Sequence, residues 1–516
     1  MRVSRATEVF VRRIALFLIS SLIVGASVSA SAGTGFPAEQ RTSRYLDSVR
    51  QEPLLLLAFL REIPKGGDLH NHLAGAIYAE TLIDFSAKAG LCVDRKTSAL
   101  LPPPCDDSTG KPPATSALRD PALYNQMIDA FSMRNWNAAR ESGHDHFFAA
   151  FDKFSSALNA NMGGSLAEVA SRAASDHLQY LELMHTADGM QAALLGEKLG
   201  WSDDFGTLRE RLLSGGLKNV IASTRNQLDQ DEAGMRSILN CDSPEAGPGC
   251  AITIRFLYQV LRGLPREQVF AQILTGFELA QSDPRFVGLN LVMPEDWYVP
   301  MRDFELHMRM LDYLHGLYPS VHISLHAGEL VMGLVPPEGL RFHIRDSIER
   351  GHAQRIGHGV SVMNERDPFG LLREMSQRNV LIEICLTSND IILGVHGPDH
   401  PLAIYQQNGV PLALATDDQG VSRSDMTHEY LRAVGTYELS YTDLKRMARQ
   451  SLEHSFLPGL SLWVETREFS RVAACEGDDP NANKLSKVCR HFLDGSERAQ
   501  MQWKLEGDFA RFEKRF

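Results

Sequence analysis

The sequence predicts an α/β fold: a closed (β/α)8 TIM barrel with helical N- and C-terminal extensions and a Cys-bracketed insertion after strand 1. Three observations carry this. Eight short, apolar, β-branched runs each end in polar residues, the runs are near-continuous in apolar character, and most are separated by helix-like stretches. Continuous apolar strands interleaved with helices indicate a parallel sheet buried on both faces, and eight such units in succession close into a barrel. An open doubly wound sheet is the second choice. It would more often carry a glycine-rich phosphate fingerprint after its first strand, and none follows here.

In chain order, Arg2, Arg5, Arg12 and Arg13 precede the apolar "IALFLISSLIVGA", and small residues at Ala30 and Ala32 fit a cleavage site, so residues 1–32 read as a cleaved export signal. No later segment is long and apolar enough to cross a membrane. Residues 33–62 form an N-terminal helical extension that ends at Pro64, and the barrel occupies 63–464. Its strand runs begin at Gly67, Leu178, Ala251, Phe286, Val321, Arg355, Val380 and Val410. The Pro-rich insertion covers about 91–145. It is followed by "HDHFFAAFDKF", whose His144 and His146 read as helix surface or a helix start, because residues i and i+2 diverge on a helix. Residues 465–516 read as a helical C-terminal extension interrupted by one Cys-bracketed loop.

The chain has 516 residues, 44% hydrophobic and 22% charged, with a net charge of -12. That composition suits a globular protein with a sizeable core, and the negative field argues against a polyanion partner such as nucleic acid. Six of seven cysteines fall into local pairs, 92 with 105, 241 with 250 and 475 with 489, each around a polar loop. In an exported chain these read as loop-closing disulfides, local pairing being the simplest of the connectivities open. Cys385, inside "LIEICLTSN", reads as a buried free thiol.

The chemistry lies at the strand ends. In "GDLHNHLAG", His70 and His72 are two apart, which on a strand places both rings on one face. His326 ends the fifth run in "SLHAGE", with Glu329 just beyond it; His358 sits between two glycines in "RIGHGV"; Asp417 and Asp418 end the eighth run in "ATDDQG". Each motif alone is weak, since H-x-H can sit near a turn and Asp often caps a helix. Together they occupy the C-terminal ends of strands one, five, six and eight, which converge on one face of a barrel. Three His and one Asp make a normal zinc set with an exchangeable position. The fourth run, "GLNLVMPED", has no lysine of the kind that bridges two ions in barrel hydrolases, so one zinc per chain is expected.

The motifs "PKGGDLHNHLAGA", "SLHAGE", "RIGHGV", "ICLTSN" and "LATDD", in this order from Pro64 to Asp418, resemble the adenosine deaminase family of zinc hydrolases, and in particular its exported branch, the adenosine deaminase-related growth factors. The resemblance implies that His70, His72, His326 and Asp417 bind zinc, that Glu329 protonates purine N1, that His358 orients the attacking water and takes its proton, and that Asp418 hydrogen-bonds purine N7. It implies hydrolysis of adenosine or 2′-deoxyadenosine to the inosine form plus ammonia, in a periplasmic or secreted protein. Two positions depart from the family. Ala74 stands where the family has an acid that contacts the ribose 5′ hydroxyl, and Met293 stands where it has a glycine whose N–H meets purine N3. Leu386 replaces a frequent proline. The departures fall in substrate recognition, so another 6-aminopurine or a modified adenosine nucleoside is the alternative substrate. A non-catalytic exported binding protein on the same barrel is a third reading, disfavoured because every chemical position is filled. The terminal extensions are suited either to covering the barrel or to building a homodimer.

Overall fold

A computed structural model describes residues 36–158 and 160–516; the export-signal reading of residues 1–32 lies outside them. Eight parallel strands form one sheet in sequence order. They are β1 (Gly66–His72), β2 (Leu178–His185), β3 (Thr253–Leu261), β4 (Phe286–Val292), β5 (His322–Ala327), β6 (Arg355–His358), β7 (Leu381–Ile384) and β8 (Leu412–Leu414). All eight expected runs are strands. Every residue of β1, β4, β6, β7 and β8 is buried, which is why these runs show no polar alternation.

The sheet closes into a barrel at one point. Asp417, just past β8, bridges to Asn71 of β1. Its N–H donates to the His70 carbonyl at 2.9 Å, and the His72 N–H donates to the Asp417 carbonyl at 3.2 Å. The seam therefore sets the backbone of His70, His72 and Asp417 in a fixed register.

The lower half of the barrel interior holds a buried ion network. The Arg355 side chain donates through Nε to Glu383 Oε1 at 2.7 Å, through Nη2 to Glu182 Oε2 at 2.6 Å and through Nη1 to the His454 carbonyl at 2.9 Å. Glu182 also accepts from Tyr180 Oη and the Phe456 N–H, both at 2.7 Å, and Glu383 Oε1 accepts from Ser324 Oγ at 3.0 Å. All three charged side chains are essentially sealed from water. Such a cluster is tolerable only because every charge has partners.

Between β1 and β2 the insertion makes a two-stranded hairpin, Cys92–Val93 with Leu100–Leu101, and the helix Pro121–Phe131; the helices Gly143–Leu158 and Met162–Ser175 follow it. The Gly143–Leu158 helix returns over the barrel mouth and packs on the short helices Leu73–Ala76 and Leu386–Leu393. The chain past Trp463 begins not as helix but as an antiparallel ribbon, Trp463–Glu465 with Ser470–Arg471. Trp463 and Phe469 meet edge to face at 5.3 Å there, with the Arg449 guanidinium against both rings. Helices Lys487–Asp494 and Glu497–Glu513 follow. The N-terminal helices Ala38–Val49 and Pro53–Glu62 pack on the barrel's outer helical layer, where Phe59 meets Tyr441 and Phe512. The three local cysteine pairs are disulfides, and Cys385 is free and buried. Among the described residues no helix is long and apolar enough to cross a membrane.

Replacing Arg355 with Met strands two buried carboxylates without a counter-ion. The expected loss is about 3–5 kcal/mol of unfolding free energy, read as a fall in the denaturant midpoint. A loss below about 1 kcal/mol contradicts the role given to this network.

Candidate active site

The C-terminal strand ends bring His70, His72, His326 and Asp417 together, with one ligand-capable atom from each lying within 4.8 Å of all the others. His72 Nε2 and His326 Nε2 are 3.1 Å apart, and Asp417 Oδ1 lies 3.3 Å from His72 Nε2 and 3.5 Å from His70 Nε2. A tetrahedral zinc with bonds of about 2.0–2.1 Å requires ligand atoms about 3.3–3.4 Å apart.

The outer atoms of these side chains dictate where their lone pairs point. His70 Nδ1 lies 2.7 Å from Glu383 Oε2, a carboxylate that only accepts, so Nδ1 is the donor. His326 Nδ1 lies 2.7 Å from Asn290 Oδ1, which also accepts the His326 backbone N–H. His72 Nδ1 lies 2.9 Å from Gln259 Oε1, and Asp417 Oδ2 accepts from Ser388 Oγ at 2.6 Å. The three Nε2 lone pairs thus face one another across a buried space. His70 Nε2 and Asp417 Oδ1 have no hydrogen-bond partner there. Two nitrogen lone pairs at 3.1 Å repel unless a cation or a proton sits between them. Burial opposes charge on His70, yet the neighbouring carboxylates of Asp417 and Glu383 push the ring up to about 10. The donor set fits a zinc-type ion. A second grouping replaces His72 and His326 with His358 and Cys385, but burial holds the Cys385 thiol well above its ordinary value and so keeps it protonated.

Three further groups border this cluster. Glu329 is pushed well above the ordinary carboxyl range by burial and by the charges of Asp417 and Glu295, and its Oε1 has no partner. Its loop is held by Glu295, which accepts the Gly328 and Glu329 N–H groups, each at 3.0 Å. Gly328 makes the turn at φ +76°, and a side chain there would meet Ile344 and Ser361. His358 is pushed down to about 3 by burial and by the neighbouring imidazoles, so it is neutral. Its Nδ1 meets Asn389 Nδ2 at 3.0 Å, and Asn389 Oδ1 meets His400 Nε2 at 3.1 Å. The Leu402 N–H lies 3.2 Å from His400 Nδ1. Read outward from Leu402, this chain places the His358 proton on Nε2, the nitrogen without a partner. The glycine before His358 answers a packing demand: a Cβ on Gly357 would lie 2.5 Å from the His70 ring. Asp418 is raised well above its ordinary value by burial, with the Asp417 charge adding to it.

Three site positions have left-handed backbone without being glycine: Met293 (φ 82°), His358 (φ 67°) and Asp417 (φ 57°). Met293 is held so by buried Arg262, whose Nε and Nη2 donate to its carbonyl at 3.1 and 3.0 Å, while its Sδ accepts from the Gly263 N–H. Ala74 lies in the turn after β1, on the wall of the same cavity.

That cavity measures about 630 Å³, within the ~300–1,000 Å³ range of small-molecule sites. His72, His326 and Asp417 form its floor, Glu329 and Asp418 its side, and aromatic residues of the Gly143–Leu158 helix its outer wall. The sequence reading missed Glu383 and Asn290, each a single polar residue in an apolar strand, a signal that was available, and Gln259, whose strand also carries Thr253 and Arg255. It also placed His144 on a helix surface or start. His144 does start the helix, but it is buried and lines the cavity.

The sequence model of the family described as adenosine deaminase matches residues 132–461, a segment that begins after His70 and His72. An adenosine deaminase of Clostridium perfringens is 32% identical over 135 residues, covering 26% of this chain and 37% of that protein. The chain thus matches well under half of that relative's length. An adenosine deaminase of Enterococcus faecalis is 26% identical over 303 residues, covering 56% of this chain and 70% of that protein. The crystal structure of Arabidopsis ADAL complexed with IMP superposes with a TM-score of 0.51 at 20% identity, over 77% of this chain and 93% of that one, a likeness of fold.

Glu383→Gln weakens the acceptor that orients His70. The expected result is a metal affinity lower by about 10–100-fold, read by competition with a chromophoric chelator. An unchanged affinity contradicts the orienting role.

Proposed function

The chain belongs to the adenosine deaminase family, and on that premise we propose that it is a metal-dependent hydrolytic deaminase, converting adenosine or 2′-deoxyadenosine to inosine or 2′-deoxyinosine and ammonia. The observation that carries this reading is the buried Glu329 carboxyl, whose Oε1 has no hydrogen-bond partner and lies 3.6 Å from His358 Nδ1, beside four convergent ligand atoms. His70, His72, His326 and Asp417 would hold one zinc per chain. A zinc ion there would supply Lewis acidity, lowering the pKa of water from ~15.7 toward ~7.

The remaining steps belong to the side chains. Purine N1 gains a proton from Glu329, which withdraws electron density from the ring and makes C6 electrophilic. The carboxyl must hold a proton to do this, and its burial favours that form. His358 borders the cluster, its ring 4.8 Å from that of His70, and is assigned to hold the attacking water. As a neutral ring protonated on Nε2 it does so as a donor. Taking the water's proton requires Asn389 and His400 to turn together so that Nε2 becomes an acceptor. Purine N7 is an acceptor, so Asp418 reaches it only in the protonated form, which burial again favours. The water oxygen bonds to C6, the proton taken by His358 passes to the amino nitrogen as the C6–N bond breaks and ammonia leaves, and the C6 hydroxyl proton returns to Glu329, which completes the exchange.

Ala74 supports a second reading, in which the substrate is another 6-aminopurine or a modified adenosine nucleoside. The three disulfides support an oxidising compartment, and with the basic and apolar N-terminal sequence they support export to the periplasm or outside the cell. The exported growth-factor branch of the family fits both features.

Glu329→Gln is expected to retain bound metal and lose turnover by about 10²–10⁴-fold, read by ammonia release alongside metal content. Near-normal turnover in that variant overturns the acid assignment. Chelation is expected to abolish activity, and stoichiometric zinc to restore it; activity that survives complete metal removal overturns the metal-dependent reading.

A further inference from the structure

The outer half of the cavity has its own chemistry, distinct from that of the metal floor. A base held between Glu329 and Asp418 directs its N9 substituent toward the Gly143–Leu158 helix. That helix presents Phe147, Phe148 and Phe151 to the cavity, and Trp297 joins them from the loop after β4. Phe148 and Trp297 meet edge to face at 6.5 Å. The helix is fastened at its start. His144 Nε2 lies 3.1 Å from Asp296 Oδ1 on the loop after β4, and Gly143 packs so closely on the Ile391 carbonyl that a Cβ would lie 1.8 Å from it. Ala74 adds a small apolar patch to the wall.

Among the described residues, no lysine or arginine lines this cavity. Besides His72 and His326 of the floor, two histidines do, and neither offers a free positive charge. His185 is held neutral, pushed down to about 4 by burial alone. Both nitrogens of His144 are already bound to carboxylates, Nδ1 to Asp145 Oδ1 at 3.0 Å and Nε2 to Asp296. Asp145 and Asp152 also line the wall, so the mouth is acidic. A phosphate entering here would lose water, find no unpaired cation on the wall and face carboxylates, each an unfavourable change. A neutral apolar group would meet aromatic faces instead.

We propose that this site selects a 6-aminopurine nucleoside whose N9 substituent is uncharged and whose outer end is tolerated, or preferred, as an apolar group: 5′-deoxy and 5′-alkylthio nucleosides rather than nucleoside 5′-phosphates. This rests on the deaminase reading of the metal floor. It assigns to the insertion, through the Gly143–Leu158 helix that follows it, the part of recognition that an acid at position 74 would otherwise supply.

The test compares adenosine, 5′-deoxyadenosine, 5′-methylthioadenosine and AMP on the full-length zinc-loaded protein, by kcat/KM. Equilibrium binding of the same four to the Glu329→Gln protein is measured in parallel. The 5′-deoxy and 5′-methylthio compounds are expected within about threefold of adenosine or better, since an apolar wall makes no hydrogen bond whose loss would be felt. AMP is expected to be at least about 100-fold worse in both measurements. Ala74→Asp is expected to shift the ratio of adenosine to 5′-deoxyadenosine toward adenosine by about tenfold, and Phe148→Ser to weaken the 5′-methylthio compound more than adenosine. AMP binding as well as adenosine, loss of 5′-deoxyadenosine by more than about tenfold, or no binding of any nucleoside overturns the proposal. Absence of turnover with the expected binding order overturns the deaminase reading and leaves the pocket's selectivity standing.

Discussion

The rest of the structure depends on one carboxylate. Glu383 lies at the centre of the barrel with no access to water, and it faces two ways. Its Oε1 takes the Arg355 guanidinium and the Ser324 hydroxyl, and its Oε2 takes His70 Nδ1. Through Arg355 it is tied to Glu182 on β2, so the adjacent strands β6 and β7 share one charge network with β2 across the barrel. The same residue that neutralises the barrel's buried cation also sets which nitrogen of His70 points at the metal position. Stability and chemistry cannot be varied independently here. A side chain that relaxes the lower network releases the upper ring, and one that mis-orients the ring leaves a buried charge unpaired.

The seam between β8 and β1 has a similar double role. A barrel of eight strands must close, and here it closes through a single bridge rather than a long ladder. The closing residue is Asp417, in left-handed backbone that Asp tolerates better than most residues. Its main chain completes the cylinder while its side chain enters the ligand cluster. His358 and Met293 share that backbone region at the ends of β6 and β4. All three are places where a strand stops and the chain turns sharply enough to direct a group into the mouth. The unfavourable dihedrals are held by neighbours that leave no alternative: the seam bonds for Asp417, Arg262 for Met293 and the Asn389 contact for His358.

What was legible in the sequence follows from these constraints. The strands were legible because burial on both faces removes polar alternation, and "VLIEIC" or "GLNLV" has no other economical reading. The site residues were legible because imidazoles and carboxyls at apolar strand ends are costly unless they meet. The outer partners were not read, although Glu383 and Asn290 stand alone among apolar neighbours. A lone polar residue in a strand does not announce its partner, and the partner is distant in the chain: Arg355 is 28 positions from Glu383, and His326 is 36 from Asn290. The ribbon at Trp463 was not read because strands of two or three residues carry no period to detect. The position of His144 was not read because a helix pattern says which residues share a face but not which neighbour the face meets.

His144 shows why that last gap matters most for function. From the sequence, the insertion is a Pro-rich excursion with two disulfide-bonded cysteines, and an excursion is ordinarily assigned to the surface. Most of it is on the surface. The helix that follows it returns, however, and the aromatic side of that helix becomes the outer wall of the cavity. The metal floor comes from strand ends, which the barrel's geometry constrains, whereas the outer wall comes from a segment whose length and composition the barrel does not constrain. On the proposed function, reaction type and substrate choice reside in physically separate parts of this chain. The strand ends can keep one chemistry while the wall changes which molecule is presented to it, and the wall here is aromatic, acidic at its rim and without a free cation.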